Sequence, residues 1–474
     1  MIINPYIFRA YDIRGIALPT KEYKEPDLTE ETMYLLGKGI GSYLIGNIGP
    51  KIAIGRDVRL TGEILQKAFM KGLIDVGCQV IDFEMVTSPL IYYAVCKYNL
   101  DAGVIITASH NPKEYNGLKI VGKGAHSICG NELQDIKKLV NSRQFVVSSK
   151  GKFLEIPDLF GDYVEDLKKQ FNLKKPLKIA VDCGNGVAGI YVGKLLKALG
   201  AEVKELYFEP DGNFPNHPAN PEYEENVKEL MNLCKNGDFD LGLAFDGDGD
   251  RLGVVDEQGK LHASDRILIV LARDLLVRNK RAKIVFDVKC SLCLSSEIEK
   301  AGGQGIVSKT GHSFVEEKMK EEGALLGGEV SGHLFFGENY YGFDDAMFGA
   351  AKLAYILSLQ EKRFSELLSD VPKTATTPEI KVPCSDESKF EIVKKLKETF
   401  LKKYDDCIIL DGIRVNFSKT EWGIVRCSNT SPNLTLRFEA ENEKKLLEIE
   451  KIFAEEMAKY EEIDRGWIEE ILKK

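Results

Sequence analysis

Three stretches of the chain repeat one pattern: a short apolar run rich in β-branched residues, a polar or glycine-containing loop, then a longer segment with apolar residues every three or four positions. They are "KIAIGRDVRLTGEILQKAFMKGLIDVG" from Lys51, "LKIAVDCGNGVAGIYVGKLLKALGAEV" from Leu177 and "AKIVFDVKCSLCLSSEIEKAGGQGIV" from Ala282. Run, loop and periodic segment read as strand, turn and helix. The return to an apolar run closes a β-α-β unit, which builds a mainly parallel sheet between helices. Three such units predict three related α/β/α domains with mixed, mainly parallel sheets. Near Val371 the pattern breaks: "VPKTATTPEIKVP" is rich in proline and threonine, cannot continue a helix and reads as a linker. Beyond it, "GIRVNF" and "NLTLRFEA" read as strands. "EKKLLEIEKIFAEEMAKY" reads as a helix with Leu446, Ile449, Phe453 and Met457 on a core face, so a smaller C-terminal α+β domain is expected. The four domains are expected at 1–150, 151–258, 259–371 and 372–474.

Length supports this division, since 474 residues at about 100 to 200 per domain make three or four cores. The formal charge of −9 and the lack of a long basic run leave no electrostatic footprint for nucleic acid or anionic lipid, so any positive site must be local. "MIINPYIFRAYDIRG" at the start is not a basic stretch followed by an apolar run, and no membrane-spanning segment is expected; the chain reads as soluble and cytoplasmic. Ten cysteines spread over this length are no disulfide framework, and apolar neighbours suggest buried thiols at Cys78, Cys96 and Cys183. Cys290 and Cys293 form a C-x-x-C, but without a second pair at zinc spacing they read as a packed helix start rather than a metal site.

Candidate chemistry sits in the loops that follow apolar strands. "LGLAFDGDGDRLGVV" sets Asp246, Asp248 and Asp250 at alternate positions with glycines between them. Three carboxylates this close repel one another unless a cation lies among them, which points to magnesium. An EF-hand is the rival, with Glu257 at the twelfth position, but Arg251 occupies the place of the sixth-position glycine and both flanks read as strands. "LLGGEVSGHLFF" offers Glu329, Ser331 and His333, whose acceptors and donors suit adjacent sugar hydroxyls. "VRCSNTSPN" offers Arg426, Ser428, Asn429 and Thr430, suited to wrapping a phosphate dianion. Further polar groups in such loops are Tyr11 and Arg14, Arg56 and Arg59, Lys289, and Lys309 and His312. Gly184, Gly186 and Gly189 match G-x-G-x-x-G, with Glu205 and Glu209 near the place of a ribose-binding carboxylate, so a nucleotide-dependent oxidoreductase is an alternative; tight packing of strand, turn and helix accounts for the glycines equally well.

"TASHNP", "DGDGDR", "GEVSGH" and "RCSNTSPN", in this order, resemble the four signature loops of the α-D-phosphohexomutases, and the likeness runs from "FRAYDIRG" to the last domain. With "KTGHSFV" the sequence is most similar to the phosphomannomutase/phosphoglucomutase branch; the phosphoglucosamine mutases, the nearer alternative, usually carry glutamine where Val330 stands. The resemblance implies four domains around a central cleft, with a mobile fourth. It implies that Ser109 is a phosphoserine that carries the phosphoryl group between C1 and C6 of a glucose or mannose phosphate. Hexose 1,6-bisphosphate would be both intermediate and activator, and Mg²⁺ would be held by Ser109, Asp246, Asp248 and Asp250. Three aspartates, a phosphoserine of about −2 and a divalent ion still sum to about −3, so more cations are needed, and Arg251 and Lys119 are the nearest. His110, Lys119 and His333 are each chemically able to move the proton of the attacking hydroxyl. The partner implied is a hexose phosphate; a monomer and a dimer are equally open.

Overall fold

The structure is a computed structural model that describes residues 3–21, 23–147, 150–428 and 431–474. The chain forms four sheets in sequence order. In the first, Ala102–Ile106, Lys51–Arg56, Gln79–Met85 and Lys152–Phe153 run parallel, while Tyr115–Val121 and Ile13–Ile16 are antiparallel at one edge. The second joins Leu241–Phe245, Lys178–Asp182 and Glu202–Leu206 in parallel and adds Leu252–Val255 and Leu261–His262 antiparallel. The third has Gln304–Ser308, Lys283–Asp287 and Leu326–Gly328 in parallel and Leu334–Phe336 antiparallel. The C-terminal sheet is antiparallel throughout, with the helices Lys389–Lys403 and Glu443–Met457 sharing its core.

The protein thus has three similar α/β/α units with mixed, mainly parallel sheets and a smaller α+β domain, the class that the three repeats predict. Leu446, Ile449, Phe453 and Met457 lie in the core of the last domain, as their spacing requires. The edge strands Lys152–Phe153 and Leu261–His262 lie just past residues 150 and 258.

One placement governs the rest of the molecule. In each α/β/α unit, a central strand turns into its antiparallel neighbour. Those turns are the segments after Ile106, Phe245 and Gly328, which carry Ser109, the three aspartates, and Glu329 with His333. The turn after Cys427 is the matching hairpin of the C-terminal sheet. All three central strands are buried along their whole length, which explains their continuous apolar runs. One apolar cluster runs without a break from Tyr93 through Leu195 to Leu268 and Phe348, fusing the three α/β/α units, while the C-terminal domain has its own core.

Two expectations need correction. The stretch from Val371 to Pro383 is not a bare linker: Ala375–Thr376 and Ile380–Pro383 both pair with Asn433–Ala440. Residues 50 to 65 positions away supply that strand, so local composition alone does not reveal it. Cys96 is half-buried rather than buried, although Cys78 and Cys183 are enclosed, and all ten cysteines are free thiols. Cys290, at the entrance to the helix Leu292–Lys300, donates its thiol to Asp287 Oδ1 (3.1 Å). Among the described residues, no helix is long and apolar enough to cross a membrane.

Candidate active site

The four turns meet at one cleft. Its walls are Tyr11, Arg14, Ser109, His110 and Lys119 from the first domain, Arg251 from the second, Lys289, His312, Glu329, Ser331 and His333 from the third, and Arg426 and Ser428 from the fourth. Asn429 and Thr430 lie outside the described residues. Asp246, Asp248 and Asp250 are fully buried and form the layer beneath the floor.

The aspartate loop is shaped by its own backbone. Asp246 Oδ1 accepts from the N–H groups of Gly249 (3.1 Å), Asp250 (3.1 Å) and Arg251 (3.2 Å), a wrap made possible by Gly249 at φ 75°. Gly247 permits the approach of the neighbouring domain, since a Cβ there would lie 2.6 Å from the Ser109 carbonyl oxygen. Ser109 then donates its hydroxyl to Asp246 Oδ2 at 2.6 Å, and His110 Nδ1 lies 3.1 Å from Ser109 Oγ. Asp248 Oδ2 accepts from Ser88 Oγ and Lys119 Nζ, both at 2.6 Å, and Lys119 also ion-pairs with Asp250.

Oxygen ligands from the three carboxylates lie within 4.8 Å of one another; Asp248 Oδ1 is buried without a hydrogen-bond donor, and Asp250 Oδ1 has only His333 Nε2 at 3.4 Å. An all-oxygen donor set with an unsatisfied buried anionic atom suits a hard divalent cation such as Mg²⁺. Burial, Asp250 and Asp248 push the Asp246 carboxyl well above its ordinary range. Burial works in the same direction on Asp250, but Lys119 and His333 outweigh it and hold that carboxyl well below.

Positive groups surround this layer. Burial opposes the charge on Arg251, yet Asp246 and Asp250 keep it firmly protonated, and its Nε is buried without a partner. Lys289, taken out of water, stays charged through Glu379 (2.6 Å) and Asp287 (3.8 Å). Arg14 spans Asp12 (2.6 Å) and Asn111 (2.8 Å). Arg426 donates from Nε to Asp411 (2.7 Å), and its buried Nη2 has no acceptor. The local basic site that an overall charge of −9 demands is therefore present.

The three cleft histidines differ. Burial, with Arg251 and Arg14 nearby, keeps His110 well below the ordinary imidazole range, and burial with Lys119 takes His312 down to about 3. His333 is raised to about 10: burial opposes, but Asp250 at 3.4 Å and Glu329 at 3.0 Å prevail. Glu329, depressed to about 2 despite its burial, also accepts from Gly311 N at 2.6 Å. Tyr11 packs edge-on to His312, and burial raises its phenol to about 12, so it remains a donor.

Some expectations do not place as the sequence suggests. Lys309 points away from the cleft over the ring of Phe314, and Arg59 is buried behind it. Gly186 and Gly189 are packing glycines: a Cβ at Gly189 would lie 2.1 Å from Phe208 O, and one at Gly186 would lie 2.9 Å from Asp246 O. Glu205 pairs with Lys197 on the surface. Cleft residues missed by sequence reasoning include Glu222, Thr310, Glu379 and Lys381. Two of them fall in the stretch read as a linker.

Family models of phosphoglucomutase/phosphomannomutase match in chain order: alpha/beta/alpha domain I over residues 5–147, domain II over 161–259, domain III over 263–375, and the C-terminal domain over 379–456. A phosphomannomutase/phosphoglucomutase of Pseudomonas aeruginosa is 43% identical over 451 residues, 95% of each chain. A phosphoglucomutase of Neisseria gonorrhoeae is 41% identical over 449 residues, 94% of this chain and 95% of its own. The crystal structure of a phosphoglucomutase/phosphomannomutase family protein from Burkholderia thailandensis superposes with a TM-score of 0.88 at 36% identity, covering 97% of this chain and 98% of the other. Since the agreement extends through all four domains and every turn that meets at the cleft, the chain belongs to the phosphoglucomutase/phosphomannomutase family of the α-D-phosphohexomutases.

Proposed function

We propose that the protein moves a phosphoryl group reversibly between C1 and C6 of a glucose or mannose phosphate, with Ser109 as the carrier. The observation that carries this reading is the Ser109 hydroxyl on the floor of a basic cleft, 2.6 Å from a buried aspartate cluster. A serine ester can give its phosphoryl group to one sugar hydroxyl, forming a hexose 1,6-bisphosphate, and take the other phosphoryl back after the sugar turns over. Serine, sugar and phosphate atoms balance over the cycle, and hexose 1,6-bisphosphate charges an empty serine.

Asp246, Asp248, Asp250 and a phosphorylated Ser109 would hold Mg²⁺, which supplies charge neutralisation to the transferring group when bound. Arg251 and Lys119 add positive charge to offset the negative charge on the equatorial oxygens of the transferring group. Glu329 and Ser331 hold ring hydroxyls, and Tyr11, Arg14, Lys289 and His312 line the path of the sugar. Arg426 and the turn from Ser428 take the distal phosphate, whichever end it is on. Of the groups able to move a proton, His110 is neutral and touches Ser109 Oγ, whereas Lys119 and His333 are engaged by carboxylates.

The test is mass spectrometry of the Ser109 peptide after incubation with glucose 1,6-bisphosphate, together with turnover of Ser109→Ala. A phosphorylated peptide and a variant without mutase activity are expected; an unmodified peptide, or full turnover by the variant, overturns the reading. Values of kcat/KM for glucose, mannose and glucosamine 1-phosphates, with the bisphosphate supplied, fix the sugar. Glucose or mannose is expected to lead, and a preference for glucosamine would transfer the assignment to that branch.

A further inference from the structure

We infer that Arg59, through Asp57 and Thr107, is a positioning residue for phosphoryl transfer, one that holds the Ser109 turn in its reactive shape without touching substrate. The inference rests on Ser109 being the carrier.

The geometry is complete. Arg59 and Asp57 are both fully buried as side chains, 0% exposed, and pair at 3.1 Å through Nε. A guanidinium has five N–H donors, and here each has an acceptor. Besides Asp57, Nη1 reaches the carbonyls of Pro112 (2.8 Å) and Tyr115 (2.7 Å), and Nη2 those of Ser109 (2.7 Å) and Asn111 (2.6 Å). Asp57 Oδ1 accepts from Arg59 N (2.9 Å), and its Oδ2 accepts from Thr107 Oγ1 (2.6 Å). Thr107 Oγ1 in turn accepts from Ser109 N (2.8 Å). Both backbone polar groups of Ser109 are therefore tied to one buried ion pair.

Ser109 needs this. Its φ of 50° lies in the left-handed region, which is strained for a non-glycine residue and persists only where surroundings over-determine it. Four carbonyl oxygens converging behind the turn would also repel one another without a cation among them. A buried ion pair is weak evidence of stability in itself, whereas a five-donor fork matched to four carbonyls and a carboxylate fixes direction. The direction it fixes is that of Ser109 Oγ toward Asp246. The second domain closes over the clamp: the Phe214 ring lies 5.7 Å from the guanidinium, and a Cβ on Gly212 would lie 2.5 Å from Val58 O.

Arg59→Lys keeps the charge but has three donors for five acceptors. Thr107→Val keeps the shape and removes the link to Ser109 N. Expected for Arg59→Lys is a loss of about 10²-fold in kcat and in the rate of Ser109 phosphorylation by glucose 1,6-bisphosphate, because displacing a reacting atom by about an ångström has that cost. KM, and the Kd for glucose 1-phosphate measured by calorimetry, stay within about threefold, as expected when the loss is confined to the transition state. Thr107→Val should lose about tenfold in the same two rates, and a purely structural role would not separate rate from affinity in this way. Parental phosphorylation rates in a cooperatively folded Arg59→Lys, or a loss confined to KM, overturn the inference; if Arg59→Lys does not fold, parental rates in Thr107→Val overturn it. An unphosphorylated Ser109 in the parent protein is a different failure, that of the carrier reading, and takes this inference with it.

Discussion

Arg251 leaves the aspartate loop and enters the cleft, while its own backbone N–H is one of the three donors wrapped around Asp246. Its backbone is thus anchored beside the carboxylates whose charge keeps the buried guanidinium protonated. A cation so placed acts on charge that develops during transfer more than on charge the sugar phosphate brings. Arg251→Ala is expected to lower kcat by about 10²–10³-fold with KM changed by less than about threefold. Unchanged kcat with a raised KM would remove Arg251 from this role. Residues of this kind were legible in the sequence because acids, glycines and a following arginine after an apolar strand leave few structural alternatives. Arg59 was not: the sequence gives its chemical type, but whether it faces the cleft or the back of a turn depends on where the carbonyls of residues 109 to 115 converge. Glu379 was hidden for a related reason, since an acid in a proline- and threonine-rich stretch reads as solvated until a strand partner and Lys289 are brought to it.

At the scale of the element, four strand-end segments line the cleft, and contacts from behind brace them. The turn after Cys427 shows how. Lys389, the first residue of the helix Lys389–Lys403, donates to the carbonyls of Ser428 (2.8 Å) and Ser431 (3.0 Å), and Asp411 holds Arg426 by Nε. The buried, unpartnered Nη2 of Arg426 is then available to an anion in the cleft. The three β-α-β repeats made these turns predictable as strand ends, but not the helix start and the aspartate that brace the fourth. On the proposed cycle the sugar presents either end to Ser109, so one distal site would serve both isomers. Arg426→Ala should therefore weaken glucose 1-phosphate and glucose 6-phosphate alike, by about 1.5–3 kcal/mol each in a calorimetric titration, the value of a hydrogen bond to a charged group. A loss restricted to one isomer would separate the two poses and rule out a shared site.

The whole molecule is held in two ways. A continuous apolar core fuses the first three domains, whereas the fourth is joined by a small apolar cluster of Val288, Trp422 and Ile424 together with polar anchors such as Arg414 to the carbonyls of Val288 and Cys290, and Arg437 to that of Lys289. Within the fused part, one contact between the first and third domains is sensitive to pH. Glu316, on the helix His312–Glu322, accepts from Ser127 Oγ at 2.6 Å across that boundary, and burial pushes its carboxyl up to about 7 against the relief given by Ser127 and Lys320. Glu317 adds to the rise, and the thiols of Cys96 and Cys129 feel the charge of Glu316. A carboxyl with a raised folded-state pKa binds more protons folded than unfolded between its ordinary value and about 7, so stability falls as pH climbs through that window and levels off above it. Because the side chain is only partly enclosed, the expected loss between pH 5 and pH 8 is about 1–2 kcal/mol, below the full shift. Glu316→Gln should remove that share: urea unfolding at pH 8 should find the variant more stable than the parent by about this amount, and at pH 5 the two should agree within about 0.5 kcal/mol. A variant that follows the parent's pH dependence unchanged would mean that Glu316 ionises freely at the domain boundary.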